Sequence, residues 1–235
     1  MTVALALLSR ASEEATASCP EPPYIFGLLL TNTYTKVNVP TPVIKQYGSA
    51  GDAPNYFDRA AQLGYVPAQT RMAYISENGL YGAPINLSKS FVYYAAAASQ
   101  GDAHAMLGLS RLYNRGSRGP GDNNEEQLMA IDVSGWLAST VPNEDEAFQW
   151  CQRAAEKGIA DALFLLGWYY EAGIGVLRND EQANYYYGAA ADKGHAVAVE
   201  RMQRLNVTSR YRREEIPRTR RGKKKQKRRW RCLVM

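Results

Sequence analysis

The residues with the plainest chemistry are the last four, Cys232-Leu233-Val234-Met235. A cysteine, two aliphatic residues and a final Met make a C-a-a-X box. Its thiol accepts a prenyl group, and a terminal Met typically directs farnesyl. Directly upstream runs RRGKKKQKRRWR, in which Lys223, Lys224, Lys225, Lys227, Arg228, Arg229 and Arg231 carry charge. Trp230 suits the headgroup zone of a bilayer. One lipid chain holds a protein only marginally, so stable anchoring takes a second signal. Basic residues beside an anionic leaflet supply one, at about 1 kcal/mol each. The combination predicts attachment to the cytoplasmic face of a membrane, with Cys232 as the lipidation site. A basic run alone would also suit nuclear import or nucleic acid. Only Tyr211 and Trp230 could stack on bases here, which makes nucleic acid the weaker alternative.

Elsewhere reactive chemistry is sparse. The two histidines, His104 and His195, each follow a repeated glycine and read as surface or groove-edge residues at helix starts. No His-Glu-x-x-His, phosphate-binding loop or Gly-x-Ser-x-Gly sequence occurs. The glycines of EAGIGV lack the preceding strand and the third glycine of a dinucleotide loop. Cys19, Cys151 and Cys232 are too far apart to suggest a disulfide framework or a zinc site, which fits a reducing cytosol. Cys151 falls where other copies of a repeat place an aromatic ring, and reads as packing. Asn206-Val207-Thr208 matches a glycosylation acceptor, but the box at Cys232 argues for the cytosol. No catalytic residue, metal ligand or cofactor is expected.

Charge is divided along the chain. Arg210 to Arg231 holds thirteen Lys or Arg and two acids, while the remainder has 15 basic and 21 acidic residues, a net of −6. An acidic body therefore carries a basic tail, expected to be disordered until it meets a surface. No apolar run approaches the roughly 18 residues a spanning helix needs. The short run Val3 to Leu8 has no Lys or Arg before it, so no secretory signal is expected.

The elements that would carry this tail are visible as a repeat. Ala-Ala-x-x-Gly-x-x-x-Ala occurs four times, with glycines at Gly64, Gly101, Gly158 and Gly194. Eight residues before them stand Tyr56, Tyr93, Trp150 and Tyr186. Nine residues after stand Ala73, Ser110 and Gly167, and fifteen after stand Gly79, Gly116 and Gly173. These columns read as paired helices. The alanine pair ends one helix, and the glycine past it takes a left-handed conformation at little cost. The next helix buries Leu163, Leu166 and Tyr170 at helical spacing. Its small residue at Ala73, Ser110 or Gly167 lets a partner helix approach, and Gly173 with Gly175 breaks it. Asp180 is expected to cap the following helix, as Asn143 with Glu146 would cap its counterpart. Tyr186 and the alanines would form that helix's contact face. One pair cannot bury its own face, so the copies must stack.

The segment LGWYYEAGIGVLRNDEQANYYYGAAADKGHAVA, Leu166 to Ala198, resembles the Sel-one-like repeat (SLR). That resemblance implies an all-α, αα-superhelix of the TPR/SLR solenoid type. The expected organisation is N-terminal helices over 1–52, with a degenerate copy around YIFGLLL and Gly27 at the small position. A repeat array follows over 53–205, with an insertion at about 117–143, and then the basic tail over 206–235. Together with CPEPPYIFGLLL, the basic tail and the box, the array is similar to the fungal activators of chitin synthase. This implies a non-enzymatic, membrane-tethered scaffold that binds and activates chitin synthase in cell-wall chitin synthesis, at the plasma membrane. The alternatives are a signalling or quality-control adaptor with another client, and a nuclear protein using the basic tail.

Overall fold

The computed structural model describes residues 2–37, 39–114 and 143–204, and among these the chain is all-helical, without a β-sheet. The helices are α1 (Thr2–Glu13), α2 (Glu21–Leu30), α3 (Thr41–Ile44), α4 (Ala53–Gln62), α5 (Val66–Asn78), α6 (Leu87–Ser99) and α7 (Ala103–Tyr113). They continue with α8 (Glu144–Glu156), α9 (Ala160–Ala172) and α10 (Asp180–Asp192), followed by helical residues 196–204, α11.

Sequence sets both ends of each paired helix. The second helices α6, α8 and α10 each begin at a capping side chain fifteen residues before the repeat glycine. Asn86 accepts from the Lys89 amide, Asn143 from Glu146, and Asn179 from both Glu181 and Gln182. The cap of α10 is thus Asn179 and not Asp180. Asn179 has the extended backbone a cap needs, whereas Asp180 is already helical and pairs with Arg178. These helices and α4 end at Gly101, Gly158, Gly194 and Gly64, all at φ between 82° and 89°. The first helices of the pairs end at Gly79 and Gly173, at φ 65° and 76°. These are conformations that residues with a side chain rarely adopt.

Packing follows from residue size. In α10 the buried ring is Tyr187, 1% exposed, and not its neighbour Tyr186, which lies half-buried against Tyr170. The buried column is therefore Phe57, Tyr94, Cys151 and Tyr187, one residue after the aromatic column predicted as the contact. Each of these faces a small residue. A Cβ on Gly167 would lie 2.9 Å from the Tyr187 ring, and one on Gly27 would lie 2.7 Å from Phe57. Cys151 lies beside Ser110. The pair α2 and α4 therefore meets by the same contact as α9 and α10, despite the long connection between them. Alanines at 60, 97, 154 and 190 are wholly buried, which brings successive pairs close. The helices pack in sequence: α4 on α5, α5 on α6, α6 on α7, α7 on α8, α8 on α9 and α9 on α10. None of the described helices is long and apolar enough to cross a membrane.

Candidate functional site

The stacked pairs are held by more than apolar contact. The Tyr94 hydroxyl donates to the Glu77 carboxylate at 2.8 Å, joining α6 to α5. From α7, Arg111 reaches the same carboxylate at 3.2 Å and donates to the Tyr94 oxygen at 3.3 Å. Burial is the largest single influence on Arg111 and lowers its pKa, but the charge and hydrogen bond of Glu77 together with the nearby Tyr94 and Tyr74 outweigh it, and the guanidinium ends above its ordinary value. The arrangement recurs at the C-terminal end of the array. Tyr187 donates to Glu171 at 2.5 Å, while Arg201 of α11 binds both Glu171 oxygens and lies over the Tyr187 ring at 4.6 Å. Each Tyr–Glu–Arg group joins one helix pair to the first helix of the next.

The seam between these two is built differently. Cys151 stands at the tyrosine position, Asn114 at the glutamate position and Trp168 in register with Arg111. The hydroxyl of Tyr169 meets Ser110 there at 2.8 Å. The Cys151 thiol donates to the Ala162 carbonyl at 3.4 Å, and burial pushes its pKa well above the ordinary range. It is therefore a packing residue and not a nucleophile. The Asn114 side-chain oxygen is buried without a hydrogen-bond partner among the described residues.

A second pattern fixes the loops inside the pairs. The backbone N–H of the capping residue donates to a carbonyl near the end of the preceding helix: Asn86 to Ser76 at 2.8 Å and Asn179 to Tyr170 at 2.8 Å. Asn143 makes the same bond to Tyr113, at 3.3 Å, although residues 114–142 intervene. The inserted segment thus leaves and re-enters the array at one point. The loop 173–179 lies against the start of α8, where a Cβ on Gly175 would come 2.1 Å from the Glu144 carbonyl. The ion pair of Arg201 with Glu171, near the end of α9, brings the end of α11 to this same edge. One edge of the array therefore carries the pair loops, both ends of the insertion and the start of the C-terminal segment.

Gly116, residues 117–142 of the insertion, and the tail with Cys232, Lys223, Lys224, Lys225, Lys227, Arg228, Arg229, Trp230 and Arg231 lie outside the described residues. His104 is exposed. His195 does more than a groove-edge position suggests: its Nδ1 accepts from the Ala198 amide at 3.1 Å, capping α11, and its ring stacks on Phe164 at 4.4 Å. Among the described residues no group of three or more His, Cys, Asp or Glu could hold a metal ion. The repeat columns do not reveal the Tyr–Glu–Arg groups. The available signal was that Glu77 and Glu171 each stand thirteen residues after a repeat glycine.

Comparison with known proteins agrees with this architecture. The family model described as Sel1 repeat matches residues 66–102, 103–127, 137–159 and 160–195, with its break inside the insertion. The chain is 33% identical over 202 residues to Chitin synthase regulatory factor 4 of Schizosaccharomyces pombe, covering 86% of this chain and 28% of that protein. It is 32% identical over 196 residues to Chitin synthase regulator SKT5 of Saccharomyces cerevisiae, covering 83% and 24%. It therefore spans about a quarter of the length of these relatives. A crystal structure of a Sel1 repeat protein from Oxalobacter formigenes superposes with a TM-score of 0.57 at 23% identity, covering 78% of this chain and 62% of that one. Glycine-ended helix pairs, small-to-large contacts between them and the matched repeats together make this chain a member of the Sel1 repeat family.

Proposed function

We propose that the chain is a non-catalytic regulator of chitin synthase, whose helical array binds the synthase while its C-terminal segment holds the complex at the cytoplasmic face of the plasma membrane. The observation that carries this reading is the similarity to chitin synthase regulators over more than four-fifths of the chain. The array supplies a rigid surface built by stacked pairs, the general use of which is protein binding. The tail supplies two weak membrane signals, a prenyl acceptor at Cys232 and thirteen basic residues, which together suffice where one would not.

The test is the chitin content of a strain deleted for this gene. The reading predicts lower cell-wall chitin with the synthase still present, and recovery by the intact chain. A Cys232→Ser chain should restore chitin poorly, and an unrelated membrane anchor fused to it should restore much of the effect by local concentration. Normal chitin in the deletion strain would leave only the reading as an adaptor for another client.

A further inference from the structure

The edge that releases the C-terminal segment also carries an exposed mixed surface. Leu177, at the tip of loop 173–179, is 89% exposed, and Tyr185, in α10, is 67% exposed. Tyr185 meets Tyr186 edge-on, Tyr186 stacks on Tyr170 at 5.5 Å, and Tyr170 meets Phe148 at 5.4 Å. A shelf of four rings thus crosses α10, α9 and α8. Asp145, Asp180 and Glu181 stand exposed beside it. Of the nearby cations, Arg178 pairs with Asp180 and Arg201 with Glu171.

Acids in a first helical turn are ordinary partners of the helix dipole and mark nothing alone. This edge differs in what is attached to it. The Arg201–Glu171 pair fixes the end of α11 here, so residues 205–235 begin at this surface. They contain the basic run and Trp230, the charge complement of the acids and an aromatic partner for the shelf. A random coil as long as the stretch from Arg204 to Lys223 would span roughly 25 Å on average, against about 20 Å for the length of α10. Such tethering gives an effective concentration in the millimolar range. Pairs too weak to hold between separate molecules in salt can then be populated.

We infer that, away from a membrane, the segment Lys223 to Arg231 docks on this edge of its own array, its cations over Tyr185 and Tyr186 and beside Asp145, Asp180 and Glu181, and that an anionic bilayer displaces it. The inference rests on the reading of the tail as a membrane-binding element. It makes the edge accessible to a partner only once the chain is tethered.

The test uses the full chain carrying Cys19→Ser, with a spin label on Cys232, since Cys151 is buried. Amide signals of residues 145–148 and 177–186 should broaden, while those around Lys157 and Gly194, at the opposite edge, keep their intensity. High salt, or the variant Asp145→Asn/Asp180→Asn/Glu181→Gln, should abolish the effect. That variant should also sediment with phosphatidylserine-containing vesicles at several-fold lower lipid than the parent, and neither should sediment with phosphatidylcholine alone. Broadening that is absent, uniform, or unchanged in the variant would overturn the docking, as would equal lipid dependence. A parent that broadens at this edge while neither chain sediments would remove the membrane reading and leave the docking standing.

Discussion

The Tyr94 hydroxyl and the Glu77 carboxylate, 2.8 Å apart, join two helices of one pair at a point where Glu77 is only 8% exposed. A buried carboxylate has to be paired, and Tyr94 shares that task with Arg111. Tyr94→Phe keeps the ring against its neighbours and removes one donor to the charge. The expected loss is about 1.5–3 kcal/mol, the range for hydrogen bonds to charged groups. Urea unfolding of the variant beside the parent measures it. An unchanged midpoint and slope would mean that the bond contributes nothing net.

Stability should also fall at alkaline pH, for a reason that can be signed. Burial and then Glu77 push the Tyr94 phenol above its ordinary value near 10, burial does the same for Tyr169, and burial with Glu171 for Tyr187. Below that ordinary value both folded and unfolded chains keep these protons, and the stabilisation is fully present. Above it the unfolded chain ionises while the folded chain resists, so stability is lost progressively as pH rises toward the folded values. Urea midpoints at about pH 8 and about pH 11 should differ, and Tyr94→Phe should lose part of that difference. A parent equally stable at both would contradict the assignment.

Gly167 and Gly64 should respond differently to the same change. A Cβ at Gly167 meets Tyr187 at 2.9 Å and the Ala183 carbonyl at 3.1 Å, so Gly167→Leu overpacks a closed contact. The expected cost is about 1–3 kcal/mol. Gly64 has nothing within 4 Å but sits at φ 88°, so Gly64→Ala meets only backbone strain, about 1–2 kcal/mol. Gly64→Leu should cost little more than Gly64→Ala, whereas Gly167→Leu should exceed Gly167→Ala clearly. Melting the four variants separates clash from strain.

How much of this was legible in the sequence depends on which column is considered. The repeat glycines stand out because a left-handed helix end leaves few other choices. The aligned columns point to an aromatic contact one residue before the buried one, for a specific reason. Both positions are aromatic at Tyr56 and Phe57, at Tyr93 and Tyr94, and at Tyr186 and Tyr187, but Trp150 is followed by Cys151. The copy with the cysteine makes the half-buried column look the more regular. Similarly, Asp180 hid the capping series Asn86, Asn143 and Asn179. The Tyr–Glu–Arg groups were invisible because the arginines hold different registers, Arg111 ten residues after its glycine and Arg201 seven after its own.

The insertion should be removable. Tyr113 and Asn143 are already bonded across it, as Tyr170 and Asn179 are across a short loop. Replacing residues 115–142 with the sequence of 172–178 should leave the fold intact. Shortening this connection should also recover about 1 kcal/mol of closure entropy. Helical circular dichroism per residue should rise or hold, and the melting temperature should not fall. A chain that no longer folds would show that the insertion is part of the core.

His195→Ala removes the cap of α11 and its stack on Phe164, at an expected cost of about 1 kcal/mol. His195→Asn keeps a capping oxygen and should recover part of it. Hydrogen exchange in residues 196–204 reports the loss locally, and equal protection in all three chains would mean that the cap is idle.

The tail should act through both of its signals. Cys232→Ser should move most of the chain from the membrane to the soluble fraction. Replacing the basic residues from Lys223 to Arg229 with Gln should weaken the association and reduce its sensitivity to salt. A Cys232→Ser chain that stays wholly in the membrane fraction would exclude prenylation as the anchor.

The measurement closest to the central claim is affinity purification of the tagged full chain from detergent-solubilised membranes, scored for chitin synthase. The synthase should be recovered with the intact chain, and also with the Cys232→Ser chain when the lysate is concentrated, because the array makes the contact. Less should be recovered with Gly167→Leu, whose array is disturbed. A purification that yields the intact chain in quantity with no synthase, from cells where the synthase is present, would contradict it.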